Sequence, residues 1–477
     1  MTIDNYEEKR RELVELNSNV QGVILREKEQ RVEEELERLR NEFFDSCNGD
    51  VIYDIPTLNN RIIQNSRLYK FCDCMPKGAD LHVHDMSILP AHELVELLIT
   101  CPEFCINTDR KSYDLVRAVN GEIPSGYIRF CDAVTDGYYT KEEIVYQWTI
   151  DSVKESGETV WEYFEKLFSR HDVLSNNPDF ARKYYDYTFR YCCRHGIMHI
   201  EIHLMLTESQ ELCSEYVTAI RAAYYDVKKE HPYFTVRIIG TGVKDDNEQL
   251  DLTKKCFQNT VSLQKLIKDE SNPDSPRNFI IGFDLANEED SSLPLKTFAP
   301  MLLKAKELYP DLKLYIHGGE SLDAGNDNLI DAFLLGVTRV GHGLNLYRYP
   351  DLHARYVRSE ICLEVCPISN QRLGYTRDLR NHPVTEYLKT GLVMALCSDD
   401  PTYMEHQELS DDFFAAVVCW GARLSDLKVL AINSIMYSGL DEKDKYKSLG
   451  EFKIMWDAFI DSVETQGIGL PEVNEGP

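Results

Sequence analysis

Along this chain the spacing of hydrophobic positions switches repeatedly between two rhythms. From Ala79 onward, short apolar runs alternate with longer stretches in which apolar residues recur every three or four positions, the spacing of a helix with one buried face. The runs are "ADLHVH" (79–84), "IMHIEIHL" (197–204), "FTVRIIGTGV" (234–243), "FIIGFDLA" (279–286), "LKLYIHGGE" (312–320), "VTRVGHG" (337–343), "ICLEVCP" (361–367) and "LVMALCSDD" (392–400). Apolar strands alternating with helices belong to an α/β fold with a parallel sheet under a layer of helices. Eight such repeats predict a closed (β/α)8 barrel, the TIM architecture.

One gap breaks the rhythm. His84 and Ile197 are much further apart than any other pair of consecutive runs, so a segment is inserted there. "CPEFCINTDRKSYDLVRAVNGEIPSGYIRFCDAV" (101–134) holds Gly, Pro and Asn at loop-forming positions together with three cysteines, and reads as a small subdomain appended after the first strand. Upstream, residues 25–43 read as a charged helix with Leu25, Val32, Leu36, Leu39 and Phe43 on a near-heptad stripe. Such a stripe must be covered, either by the chain's own body or by a partner subunit in a homodimer built through these N-terminal helices. The expected organisation is an N-terminal helical extension (1–74) followed by the barrel (75–477), with the insertion at about 101–134.

Composition narrows the function classes. Hydrophobic content of 43% and charged content of 28% in 477 residues are those of a folded globular protein. A net charge of −28 argues against a grip on nucleic-acid phosphates or anionic membranes, which relies on clustered Lys and Arg. The opening "MTIDNYEEKRRELVEL" is charged where an export signal would be apolar, and no run of about 18 apolar residues occurs. The expectation is a cytoplasmic protein without a membrane partner. The 14 cysteines are scattered, which points to reduced thiols, and Cys362, Cys366 and Cys397 fall in apolar, strand-like runs as core residues. No P-C-x-x-C segment is present, so a cysteine-ligated zinc of the cytidine-deaminase type is not expected.

The chemistry gathers at the ends of the predicted strands. In a (β/α)8 barrel the strand C-termini form the site. His82 and His84 close the first run, His317 with Glu320 the fifth, His342 the sixth, and Asp399 with Asp400 the eighth. Residues two apart on a strand point the same way, so His82 and His84 could grip one metal ion. Each group also has a plainer reading: H-x-H on a solvated strand face, His317 and His342 as hydrogen-bonded core histidines, "SDDP" as a helix cap before Pro401. These plainer readings would all have to coincide at one end of one barrel.

The ordered motifs "MPKGADLHVHD", "HGGES", "RVGHGLNL", "EVCPISNQRL", "LRNHPV" and "SDDP" resemble the adenosine deaminase superfamily. Within it the chain is most similar to the adenosine deaminase-related growth factors, because "MPKG" precedes the histidine pair and Asp85 follows it, and because the N-terminal region, the insertion and "VWEYFEKLF" (160–168) also match. The resemblance implies a Zn2+ ion held by His82, His84, His317 and Asp399, and a purine nucleoside as the small-molecule substrate. It further implies that Glu320 protonates ring N1, that His342 orients the attacking water and assists its deprotonation, and that Asp400 bonds purine N7. Asp85 is placed at the ribose 5′-hydroxyl, and Trp161 beside the nucleoside or, on its residue type alone, in the core. Imidazole and carboxylate ligands with an open position suit a zinc that activates water. The implied reaction is hydrolytic deamination of adenosine or 2′-deoxyadenosine. The alternatives are the same chemistry on another 6-aminopurine or modified nucleoside, and a binding or signalling relative without catalysis.

The chain departs from the resemblance in three places. Relatives read H-A-G-E where this chain has "HGGE", with Gly318 leaving the spacing intact. Relatives carry Gly where Asn287 stands, at a backbone N–H that meets the purine at N3. The growth-factor branch is typically secreted, whereas no export signal is visible.

Overall fold

The computed structural model describes residues 9–10, 23–47, 65–175, 177–245, 250–266 and 279–469; the remainder of the predicted N-terminal extension lies outside the described residues. Eight parallel strands follow one another in chain order: Gly78–His84, Ile197–Leu204, Thr235–Val243, Ile280–Ala286, Lys313–Gly318, Arg339–His342, Cys362–Val365 and Met394–Leu396. The ring closes where Val83 pairs with Asp399. There the Asp399 N–H donates to the His82 carbonyl at 2.9 Å and the His84 N–H donates to the Asp399 carbonyl at 3.3 Å. All eight predicted runs are strands. The last is much shorter than its run: beyond Leu396 only the isolated bridge at Asp399 continues the pairing, and the chain turns away from the sheet at Asp400.

The strands are β-branched and fully buried, as a sheet covered by helices requires: Ile200, Ile202, Val236 and Ile238 have no exposed surface. The barrel's centre is polar. Arg339 reaches across from the sixth strand, its Nη2 2.6 Å from Glu201 Oε2 on the second and its Nε 2.5 Å from Glu364 Oε1 on the seventh, with its guanidinium over the Tyr315 ring. A buried cation is tolerable only with such partners.

The predicted insertion is a small antiparallel sheet, Phe104–Asn107 between Leu115–Arg117 and Tyr127–Arg129, followed by helix Phe130–Thr135. More helices complete the crossover to the second strand. Among them Val160–His171, started by a Thr159–Glu162 capping box, lies over the strand C-termini. All cysteines are free thiols, and no helix among the described residues is long and apolar enough to cross a membrane.

The N-terminal stripe resolves one alternative. On helix Glu27–Ser46, Val32, Leu36, Leu39 and Phe43 are buried against the same chain's helices, chiefly Glu442–Gln466 and Arg67–Cys74. Beside them Glu29, fully buried, accepts from Arg26, Lys428 and Trp456. Burial pushes its carboxyl pKa up, but these donors outweigh burial and hold it at about 2. The face that a homodimer through these helices would have used is therefore already covered.

Candidate active site

The strand C-termini open into a cavity of about 420 Å³. Nine of the ten residues singled out from sequence line it: His84, Asp85, Trp161, Asn287, His317, Glu320, His342, Asp399 and Asp400. The tenth, His82, lies beneath them, fully buried. Short-range sterics allow this crowding. A Cβ built at Gly341 would lie 2.7 Å from His82 Cε1, so only glycine lets the His82 ring rest against the sixth strand. Gly319, at φ 78°, makes the turn that swings Glu320 back over the cavity. At Gly318 a Cβ would meet nothing closer than 3.4 Å, so the fold leaves room for alanine there.

Four side chains form a donor set. The ligand nitrogens of His82, His84 and His317 lie within 4.8 Å of one another. His84 Nε2 is 3.3 Å from His317 Nε2 and 3.2 Å from Asp399 Oδ1, and His82 Nε2 is 3.7 Å from the same oxygen. Donors on one tetrahedral zinc, with bonds of about 2.0–2.1 Å, stand roughly 3.3 Å apart. His82 Nε2 is buried without a hydrogen-bond partner, an orphan that a cation at this point would satisfy. The residues present therefore fit a zinc-like ion. Cys366 also approaches His82, His342 and Asp399. Burial and the nearby Asp399 and Cys397 push its thiol well above the usual range.

Behind the donor set stands a shell that inspection of the strand ends missed. His82 Nδ1 is 2.8 Å from Glu364 Oε2, and Glu364 is in turn held by Arg339. Asp284 Oδ2 lies 2.6 Å from His317 Nδ1 and 2.8 Å from His203 Nδ1. These are the carboxylate partners that fix the orientation of metal-binding imidazoles. Lys244, also fully buried, donates to Glu289 Oε1 at 2.8 Å and to the His317 carbonyl at 3.1 Å, bracing the loop toward Glu320. His203 could have been found as the last histidine of "IMHIEIHL"; Glu364 and Asp284 show in sequence only as lone carboxylates inside apolar runs.

Glu320 is enclosed. Burial, then the Asp399 and Glu289 carboxylates, hold its carboxyl well above the usual carboxylate range, against a hydrogen bond from Asn370 and the charge of Lys244. A bound dication would offset the Asp399 charge and leave burial, the largest cause, in place. Asp85 accepts from the Tyr185 and Tyr216 hydroxyls, and burial pushes it up to about 6 despite them. Ser87 Oγ donates to Asp400. Trp161 lines the cavity, partly buried; its Nε1 donates to Tyr375 Oη at 2.8 Å and its ring packs on Phe164. Three of the lining or ligand residues sit in backbone conformations that favour glycine, with φ of 129° at Asn287, 60° at His342 and 64° at Asp399. Strain of this kind gathers at functional sites.

Barrel, convergent His/Asp donors and enclosed acid define a metal-dependent hydrolase with its site at the strand C-termini. Comparison with known proteins gives the family. The profile described as "Adenosine deaminase" matches residues 145–453, and the chain belongs to the adenosine deaminase family, in its growth-factor-related branch, as a deaminase-like hydrolase. It is 29% identical to adenosine deaminase 2 of Dictyostelium discoideum, over 89% of this chain and 80% of that protein. It is 30% identical to an adenosine deaminase of Lutzomyia longipalpis, over 84% of this chain and 80% of that one. Among solved structures, an amidohydrolase from Burkhoderia ambifaria with bound Zn superposes with a TM-score of 0.55 at 17% identity, covering 83% of this chain and 95% of that one.

Proposed function

We propose that this protein is a zinc-dependent aminohydrolase that converts adenosine and 2′-deoxyadenosine to inosine and 2′-deoxyinosine, releasing ammonia. The observation that carries the reading is the meeting, at one end of the barrel, of His82, His84, His317 and Asp399 at metal-ligand spacing with the enclosed carboxyl of Glu320, whose burial favours the neutral acid. Bound there, zinc supplies an activated water at neutral pH. The chain's own residues do the rest. Glu320 delivers a proton to ring N1, making C6 electrophilic; His342 orients the water and assists its deprotonation; Asp400, anchored by Ser87, holds N7. Asp85 lies on the sugar side, and Trp161, Phe164 and Phe168 wall the cavity from solvent.

Asn287 favours a second reading within the same chemistry. Asn287 lines the cavity from a strained backbone, and with its side chain turned inward it would narrow the pocket or meet a substituent that adenosine lacks. Another 6-aminopurine or modified nucleoside then competes with adenosine.

Purified protein assayed by ultraviolet absorbance on a panel of aminopurine nucleosides, with metal content measured in parallel, tests both readings. The expected result is about one zinc per chain and adenosine turnover. His82→Ala should lose metal and activity together, and Glu320→Gln should keep metal but lose roughly 10²-fold or more in kcat. Full turnover by chelated His82→Ala would reject the metal assignment. Zinc-loaded protein without turnover on any aminopurine would leave the binding or signalling role.

A further inference from the structure

The motifs "EVCPISNQRL" and "LRNHPV" deliver side chains to the wall behind Glu320 that the mechanism above does not use. Asn370, on the short helix Pro367–Arg372, places Nδ2 2.7 Å from Glu320 Oε1 and 3.3 Å from His342 Nδ1. His382 places Nε2 3.2 Å from Asn370 Oδ1, while its Nδ1 accepts the Val384 N–H at 3.2 Å. Asn370 and His382 are 0% and 1% exposed, so water does not compete for these bonds.

The direction of each bond follows from the backbone. The Val384 N–H can only donate, so His382 Nδ1 must present its lone pair. Burial pushes His382 down to about 3, which leaves the ring neutral with its one proton on Nε2. That proton is donated to Asn370, so the amide turns its oxygen to His382 and its NH2 toward Glu320 and His342.

We propose that His382 and Asn370 are a positioning pair that sets which oxygen of Glu320 delivers the proton to the substrate ring. Glu320 Oε1 is occupied as the acceptor of an Asn370 N–H, so the proton of the neutral acid sits on Oε2. In the transfer the Oε2–H bond breaks and a ring N–H bond forms. The carboxylate left behind meets an N–H already aimed at Oε1, and that hydrogen bond becomes charge-assisted and stronger. Asn370 therefore stabilises the transition state more than the bound substrate, and its loss should appear in kcat rather than KM. The inference rests on the reading of Glu320 as the acid.

A double-mutant cycle on the zinc-loaded full chain tests it. Asn370→Asp keeps the shape but replaces the donor with an acceptor. It should lower kcat for adenosine by roughly 10²-fold, the scale of one lost active-site donor, with KM within about threefold and zinc content unchanged. In a Glu320→Gln background the same change should cost less than about threefold, because the group it positions is gone. His382→Ala should lower kcat by about tenfold, and His382→Gln, whose amide can still donate to Asn370 Oδ1, should restore most of it; this pair carries the test if Asn370→Asp does not fold. Wild-type kcat in Asn370→Asp, a loss that appears in KM, or an equal loss in both backgrounds overturns the proposal. If Glu320→Gln is inactive while Asn370→Asp is fully active, this inference alone falls. If the wild type has no turnover, or Glu320→Gln keeps it, the functional reading falls with it.

Discussion

Replacing Gly341 with alanine tests whether the space around His82 is set for metal binding. The added Cβ would lie 2.7 Å from His82 Cε1, 3.2 Å from His82 Nδ1 and 3.3 Å from the His317 Cα. Carbon atoms in contact sit at about 3.5 Å or more, so the ring must retreat by about 0.8 Å. It has no free direction, because His82 Nδ1 is tied to Glu364 at 2.8 Å and Glu364 to Arg339. A retreat of that size away from Glu364 stretches the bond to about 3.6 Å, beyond a hydrogen bond. Losing a charge-assisted bond costs about 1.5–3 kcal/mol, and overpacking a tight interior typically about 1–3 kcal/mol. The same displacement carries Nε2 out of the donor set, and loss of such supporting contacts weakens metal binding by roughly 10- to 100-fold. Metal content of wild type and Gly341→Ala, equilibrated at one buffered free zinc concentration, should show the variant depleted, with activity partly restored by added zinc and a lowered Tm. A Gly341→Ala protein with wild-type zinc occupancy and kcat/KM at limiting zinc would refute the reasoning, since His82 could then not be a tightly seated ligand.

Two further outcomes follow from the same geometry. Asn287→Gly should raise kcat/KM for adenosine severalfold and leave zinc content unchanged, and should not lower Tm, because it removes a side chain at the cavity wall and relieves backbone strain of roughly 1–3 kcal/mol; an equal or lower kcat/KM in a folded variant makes Asn287 a supporting wall residue. Leu39→Ala, at a position 1% exposed on the N-terminal helix, should destabilise the protein by about 2–5 kcal/mol in denaturant melts without changing the elution volume of the native protein on size exclusion; a shift to a smaller species would put that face at a subunit interface instead.

The barrel was legible because each strand is a separate apolar run, and most of the cavity because chain order alone sends strand C-termini to one end. His82 and His84 announced themselves through alternation, and Glu320 through its distance from His317. The stripe from Leu25 to Phe43 left two occupants open for a physical reason. Over so few turns a 3.5-residue and a 3.6-residue repeat coincide, so the pattern cannot separate a helix packed on its own domain from a coiled-coil partner. What stayed hidden is the shell. Glu364 in "ICLEVCP" and Arg339 in "VTRVGHG" meet only because neighbouring strands bring them together, and neither spacing records the pairing. Asp284 is hidden in the same way: from the fourth strand it serves His317 on the neighbouring fifth strand and His203 on the second, two strands away.

Backbone strain was hidden for a different reason. Asn287, His342 and Asp399 adopt conformations that favour glycine without being glycine, so no residue type betrays them. Each stands at or just past the end of its strand, where the chain turns away, and each lines the cavity. A straight continuation of the strands would alternate these side chains in and out of the barrel. The turns instead point consecutive functional groups the same way: Asp399 to the donor set and Asp400 to the cavity wall from adjacent positions, both lining one space. In this chain the strands decide which residues reach the end of the barrel, and the strained turns decide which of them can act together.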